Sequence, residues 1–349
     1  MDEYSWASAV GRIRILEKRF LSRAELEQLA ASASLESALA ALRDTTYGPY
    51  IAKMRGIESY DDALRESLAA EYDLISRMAP EPMVIAAFRG RHDFHNLKVI
   101  AKNQRMGMPV QEEAFSLIGN FDPGQLKLWL QGGLAASEEK RPRKDDELSV
   151  LRETYEATAE FEQDDGGDYG PALVALRMDA LIDRAYYAWF VRVMKRHGYD
   201  SLITYAEHEV DLINLRMSLR GRKQGLDAKI MASVFLPGGT IAALDLTEVY
   251  SRDEALKELF KSSPFESLAI QGIKLTAERA SLTSWEKACD DALMNVIKRA
   301  RLSPMGPEPA YGYVYGREIE TRNLRVILSG KLSQVSAREI SERLREPYV

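Results

Sequence analysis

The sequence predicts an all-α protein, and three observations carry that reading. Trp6, Val10, Ile13, Leu16 and Phe20 recur at steps of three and four, which lines one face of a helix. The same spacing, uninterrupted by proline, runs through residues 61–78, 148–161, 173–196, 253–260, 284–301 and 317–329. Ser22 with Glu25 has the spacing of a capping box, in which a hydroxyl and a carboxylate each satisfy an orphan backbone N–H at a helix start. Ser251/Glu254 and Ser336/Glu339 repeat that signature, and Ser59/Asp62 is a weaker form. Alternating β-branched residues, the mark of a strand, are hard to find.

Between the helices lie the usual breakers. Pro80-Glu81-Pro82 and Pro307-Glu308-Pro309 are expected to end helices, because proline lacks an N–H and restricts the residue before it. The glycine-bearing stretches 119–124, 132–133, 166–171 and 237–239 read as turns. Residues 138–147 (EEKRPRKDDE) are almost all charged and read as a solvated, mobile loop.

Composition excludes several classes of function. The 349 residues are 46% hydrophobic and 29% charged, the mix of a folded protein. A net charge of −6 argues against a nucleic-acid binder and offers no polybasic anchor for anionic lipid. No apolar run approaches the roughly 18–20 residues that span a bilayer; the longest are pieces such as 83–88 and 231–236. The acidic start, Met1-Asp2-Glu3-Tyr4, lacks the features of a signal peptide. One cysteine, Cys289, excludes an internal disulfide or a multi-cysteine metal site and fits a reducing compartment. A cytoplasmic protein is expected.

The chain also repeats itself. Asp93-Phe94-His95-Asn96-Leu97-Lys98, Asp211-Leu212-Ile213-Asn214-Leu215-Arg216 and Glu320-Thr321-Arg322-Asn323-Leu324-Arg325 share one pattern, an acid, two variable residues, Asn-Leu and a base. The asparagines lie 118 and 109 residues apart. A Pro-Glu-Pro stands at the same distance before the first and third copies. Upstream, residues 35–42 leading to Thr45-Thr46-Tyr47 match residues 253–260 leading to Ser262-Ser263-Pro264-Phe265, and the middle copy has no clear version of this element. The repeat predicts three helical units, 1–110, 111–228 and 229–349, each too long for a solenoid repeat and so expected to bury its own core. Within each copy the acid and the asparagine share a helix face, and the base points elsewhere. They are expected mainly to organise each bundle; contact with a partner is the alternative. A polar trio that recurs three times is poor material for one active site.

These residues carry a family resemblance. Together with Tyr4, Arg12-Ile13-Arg14 and Glu17, with Arg43-Asp44-Thr45-Thr46-Tyr47, and with the C-terminal Arg343-Leu344-Arg345-Glu346-Pro347-Tyr348-Val349, the three motifs make the chain resemble the C subunit of the V-type (A-type) ATP synthase/ATPase, related to the eukaryotic V-ATPase d subunit. The resemblance implies a funnel of three similar helical domains. It implies a non-catalytic place in the rotor, on the cytoplasmic face of the proteolipid ring and under the D and F subunits of the central stalk, coupling ATP synthesis or hydrolysis to proton or sodium transport.

Sharper chemical readings fail on spacing. Gly330-Lys331 has Arg325 where a phosphate loop needs glycine, and no Ser or Thr follows the lysine. Residues 312–316 (GYVYG) do not match a dinucleotide fingerprint. His92 and His95 could share a helix face, but two histidines make a poor metal site. His197 reads as a cation at a helix C-terminus. Cys289 reads as a small buried residue, Asp290-Asp291 and Asp164-Asp165 as solvated pairs, and Tyr186-Tyr187 with Trp189-Phe190 as core. No cofactor or metal is expected. Arg216, Arg220, Arg222 and Lys223 form the densest cationic stretch. Arg220, Arg222 and Lys223 read either as cations stabilising a helix C-terminus or as an interface for an acidic partner. If the family resemblance did not hold, a helical-repeat adaptor for a cytoplasmic protein would be the next reading.

Overall fold

The computed structural model describes residues 3–132, 146–161 and 170–349, and among these every regular element is a helix. They divide into two compact units, one of residues 1–85 and 283–349 and the other of residues 86–282. Residues 133–145 and 162–169 lie outside the described residues, with most of the 138–147 charge block, most of the 166–171 turn, Gly133 and Asp164-Asp165.

The first unit holds α1 (Ala7–Glu17), α2 (Arg23–Ala30), α3 (Leu35–Leu42), the short α4 (Gly48–Ile51), α5 (Tyr60–Met78) and the first turn of α6 (Pro82–Arg105). The second unit continues α6 and adds α7 (Pro123–Leu130), α8 (Glu147–Thr158), α9 (Gly170–His197), α10 (Asp200–Lys223), α11 (Ala228–Val234), α12 (Ala243–Val249), α13 (Asp253–Leu259) and α14 (Glu266–Ala277). The chain then returns to the first unit with α15 (Thr283–Ile297), a 3₁₀ turn (Lys298–Leu302), α16 (Glu308–Leu332) and α17 (Ala337–Arg343).

Helix α16 is the axis of the first unit. It packs against α1, α2, α3, α5, the 3₁₀ turn and α17, and is buried on nearly every side. Such a helix cannot show a clean apolar stripe, because all its faces meet protein. Leu324, Ile327 and Leu328 join Leu26, Leu39, Leu42, Ile340 and Leu344 in one core cluster. The polar residues of α16 are buried too. Arg317 pairs with Glu320 at 2.6 Å, and its guanidinium lies 4.2 Å from the centroid of the Phe20 ring. In the second unit Phe94 of α6 meets Tyr186 and Trp189 of α9, and Phe88 meets Phe190, so that aromatic run is core as expected.

Several local expectations need correction. The Pro-Glu-Pro segments do more than stop helices: Pro82 opens α6, and Pro309 sits in the first turn of α16, where a missing N–H costs nothing. Capping boxes form at Ser22/Glu25 and Ser336/Glu339, and an unforeseen one at Ser34/Ser37. Ser251 makes none, because the N-cap of α13 (Asp253–Leu259) is Arg252, one residue later, and Ser59 gives no side-chain cap to α5. Asp290 and Asp291 are not a solvated pair. Asp290 is buried and holds Arg345 at 2.6 Å, while Asp291 accepts the Glu346 N–H at 2.7 Å, so both fasten the C-terminal segment. Glu147, the last residue of the charge block, is buried rather than solvated. Cys289 is buried in α15.

The caps give a direct test. Ser22→Ala and Ser336→Ala should each lower unfolding free energy by about 1 kcal/mol in denaturant titrations, and Ser251→Ala should change it by a few tenths at most.

Candidate functional site

The repeated motif resolves into one hydrogen-bonding device built three times. The asparagine lies on a long helix, α6, α10 or α16, with its side chain fully buried. Its amide clasps one residue that follows the helix, 20, 22 and 22 positions downstream. Asn96 donates to the Ser116 carbonyl at 3.0 Å and accepts the Ser116 N–H at 2.8 Å. Asn214 does the same to Leu236, at 2.8 and 2.8 Å, and Asn323 to Arg345, at 3.0 and 2.8 Å. A residue leaving a helix in extended conformation has no ladder for its own N–H and C=O, and burying them unpaired would cost about 1–3 kcal/mol each. A primary amide supplies one donor and one acceptor side by side, which is what a single backbone residue requires.

The acid three residues earlier takes the next part of the chain. Asp93 accepts the N–H groups of Asn120 (2.6 Å) and Phe121 (3.3 Å). Asp211 accepts the Ile241 N–H at 3.1 Å and the Thr240 hydroxyl. In both copies the carboxylate lies on a glycine: a Cβ at Gly119 or Gly239 would stand 2.2 Å from a carboxylate oxygen. The third copy closes differently. Glu320 accepts the Leu21 N–H at 2.6 Å, the Tyr47 hydroxyl at 2.7 Å and Arg317 at 2.6 Å, so the segment that completes it comes from early in the chain. The upstream match has the same logic. Thr45 and Ser263 each accept the N–H two residues on, from Tyr47 and Phe265. Tyr47 then reaches Glu320 of α16, while Phe265 meets His208 of α10.

Burial raises the carboxyls of Asp211 and Glu320 above the ordinary range, against donors that favour the ion; for Glu320 the strongest of these is the charge of Arg317. Asp93 is pushed up to about 6 by burial, in spite of its two backbone donors. Sequence reading missed Glu147, whose carboxyl accepts the Asn120 side chain at 2.8 Å.

The bases behave as struts. Lys98 pairs with Asp183 of α9 at 2.6 Å, and Arg325 pairs with Asp61 of α5. Arg216 is half-buried on α10. Of the cations at the end of α10, Arg222 pairs with Asp253 at 2.8 Å and lies over the Tyr250 ring, Lys223 donates to the Ala280 carbonyl, and Arg220 is exposed. The histidines of the first motif serve its loop: His92 Nδ1 is 2.9 Å from the Ser116 hydroxyl, and His95 Nε2 is 3.3 Å from the Ala114 carbonyl. Among the described residues no three His, Cys, Asp or Glu side chains gather as a metal site would require. A cleft of about 410 Å³ in the first unit is lined by Arg14, Glu17, Asn295, Lys298, Arg299 and Arg301, with Leu302 exposed at its rim. Nothing in the sequence pattern marks it, because its cations come from α1 and the 3₁₀ turn, far apart in the chain.

Residues 9–343 match the sequence model of the family described as ATP synthase (C/AC39) subunit. The chain belongs to that family. Among similar proteins, the C subunit of the V-type sodium ATPase of Enterococcus hirae is 25% identical over 350 residues, covering 96% of this chain and 97% of that one. The C subunit of the A-type ATP synthase of Methanocaldococcus jannaschii is 24% identical over 363 residues, covering 99% and 87%. Its counterpart from the A-type ATP synthase of a Desulfurococcus species is 26% identical over 332 residues, covering 93% and 85%. The family match covers all three motifs.

The clasps should differ in cost. Asn214→Ala should be the most damaging, by about 2–4 kcal/mol, because Leu236 is 1% exposed and water cannot replace the amide. Asn96→Ala and Asn323→Ala should cost less, since Ser116 and Arg345 are only half-buried. Denaturant titration of the three variants ranks them.

Proposed function

We propose that this chain is a non-catalytic rotor subunit of a V/A-type rotary ATPase, joining the proteolipid ring to the D and F subunits of the central stalk. In that place it couples ATP synthesis or hydrolysis at the head to proton or sodium transport in the membrane. The observation that carries the reading is the use of the repeated polar residues. Asp93, Asn96, Lys98, Asp211, Asn214, Glu320, Asn323 and Arg325 all bond to helix exits or neighbouring helices of their own chain. Arg216, the ninth position of the pattern, sits half-buried on the same helix as Asn214. A part that transmits torque needs packed helices whose connections cannot slip, and close packing resists deformation. Three copies of one device support three similar helical units; the bounds 1–110, 111–228 and 229–349 and the funnel arrangement are part of the same proposal.

No helix among the described residues is long and apolar enough to cross a membrane. In the proposed role the chain sits on the cytoplasmic face and is held there by protein contacts, without bilayer insertion or nucleic acid. Arg220, Arg222 and Lys223 are one surface for an acidic partner, and the cleft of Arg14, Lys298, Arg299 and Arg301 is another. Arg299 and Arg301 are exposed there, so their charge is available to a partner. Such contacts set association rate and partner choice, and salt screens them.

Affinity purification of the tagged chain from detergent-solubilised membranes should bring down the proteolipid ring and both stalk proteins. Recovery of the free chain alone would overturn the rotor reading and favour an adaptor. Arg220→Glu and Arg299→Glu should each weaken that assembly, more so as salt is raised, and Arg299→Glu should leave the melting temperature of the isolated chain within about 2 °C, the size of an exposed-site effect. Arg222→Glu is a poorer probe, because it also breaks the pair with Asp253.

A further inference from the structure

We propose that Asp93 and Glu147 form a proton-dependent latch that holds the first turn of α8 against α6 in the second unit. Both carboxyls are buried, at 0% and 5% exposure. They converge on one residue: Asn120 gives its backbone N–H to Asp93 at 2.6 Å and its side-chain amide to Glu147 at 2.8 Å. The same amide also donates to the Ala86 carbonyl of α6, so Asn120 ties α6 and α8 together. Neither carboxyl has a cation paired with it among the described residues. The charged groups acting on them are His92 on α6, beside Asp93, and Asp146, just before Glu147. Helix α9 presents the Trp189 ring, which crowds Gly90 from the same side as Glu147 Oε1. Glu147 Oε1 receives no donor from the rest of the protein, and the Glu147 carboxyl is hydrogen-bonded side chain to side chain with Asp93.

Two carboxylates in one buried place without a paired cation cannot both be ionised at small cost. Asp93 receives two backbone N–H groups, which favour its charged form, so Glu147 is the member that keeps the proton. Burial first, and the charge of Asp93 second, hold Glu147 well above the ordinary carboxylate range. The other copies lack this arrangement: Asp211, which like Asp93 has a histidine nearby, is held by Thr240 and Ile241 with no second acid acting on it among the described residues, and Glu320 has Arg317. The first copy alone sets the repeat acid against another acid.

The sign follows from linkage. A carboxyl that holds its proton more tightly when docked than when released takes up a proton on closing. The contact is therefore strongest below the ordinary Glu value of 4.5 and weakens as pH climbs from there toward the docked value. The shift of Asp93, up to about 6, acts in the same direction. Acid closes the latch and alkali opens it, freeing the start of α8 and the loop around Asn120. The latch does not depend on the rotor reading. Combined with it, the latch would let an ion-translocating assembly respond to the pH around this protein.

Hydrogen exchange of the full chain at pH 5.5, 6.5, 7.5 and 8.5, corrected for intrinsic rates, tests the idea. In the wild type the opening constant of amides in α8 should rise by up to tenfold per pH unit for one proton, while those of α14 stay level. Glu147→Gln mimics the protonated acid, accepting from Asn120 and donating to Asp93, and should keep α8 protected with a flat profile. A wild-type α8 whose corrected exchange ignores pH overturns the proposal without recourse to a variant. An E147Q profile equal to that of the wild type overturns it as well.

Discussion

The structure rests on how a buried helix exit is satisfied. A chain leaving a long helix must turn back along it, and the residue that makes the return has an N–H and a C=O with no ladder to join. In all three copies an asparagine on the helix fills both needs. The bond pair fixes the register of the return, and the register then sets where the acid's backbone donors fall. Aspartate in that position would offer no donor, and leucine neither donor nor acceptor, so the residue type follows from the geometry. Packing of the small helices beyond the loop depends on the clasp in turn, because α7 and α12 start within a few residues of the groups the acid holds.

Around this common device the acids diverge. Asp211 is satisfied by neutral donors, Glu320 adds a buried arginine stacked on Phe20, and Asp93 faces Glu147. A buried ion pair such as Arg317–Glu320 contributes little net stability once desolvation is counted, since the attraction mostly offsets the cost of leaving water. Its value is in specifying one arrangement of α16, Tyr47 and the Phe20–Leu21 segment. The third copy uses the strongest charges where it has to join segments 299 residues apart.

Much of this is legible in the sequence. The all-helical class follows from spacing, the clasping residues from self-similarity, and the core role of Tyr186, Trp189 and Phe190 from helical recurrence. What the asparagines bind is not legible, because Ser116, Leu236 and Arg345 are clasped through backbone atoms and share no side-chain chemistry. Only the glycines before Asn120 and Thr240, Gly119 and Gly239, leave a trace, as positions where a Cβ would strike the acid. Glu147 escapes notice because ten mostly charged letters in a row look solvated, whereas its place depends on Asn120, 27 residues earlier. Asp290 and Asp291 mislead for the same reason: their partners, Arg345 and Glu346, are 55 residues away.

The Glu320–Leu21 hydrogen bond has a consequence for synthesis. Residues 86–282 contain every partner needed for the first two clasps, so that unit can close as soon as it has left the ribosome. The first unit cannot. Its early helices, α1 to α5, emerge with the seat for α16 empty and Leu26, Leu39 and Leu42 uncovered, and they wait for more than two hundred residues before their axis arrives. Domains generally form from the N-terminus onward. Here the earliest helices are completed last, and their exposed leucines are the part of the nascent protein most in need of a holdase until α16 is made.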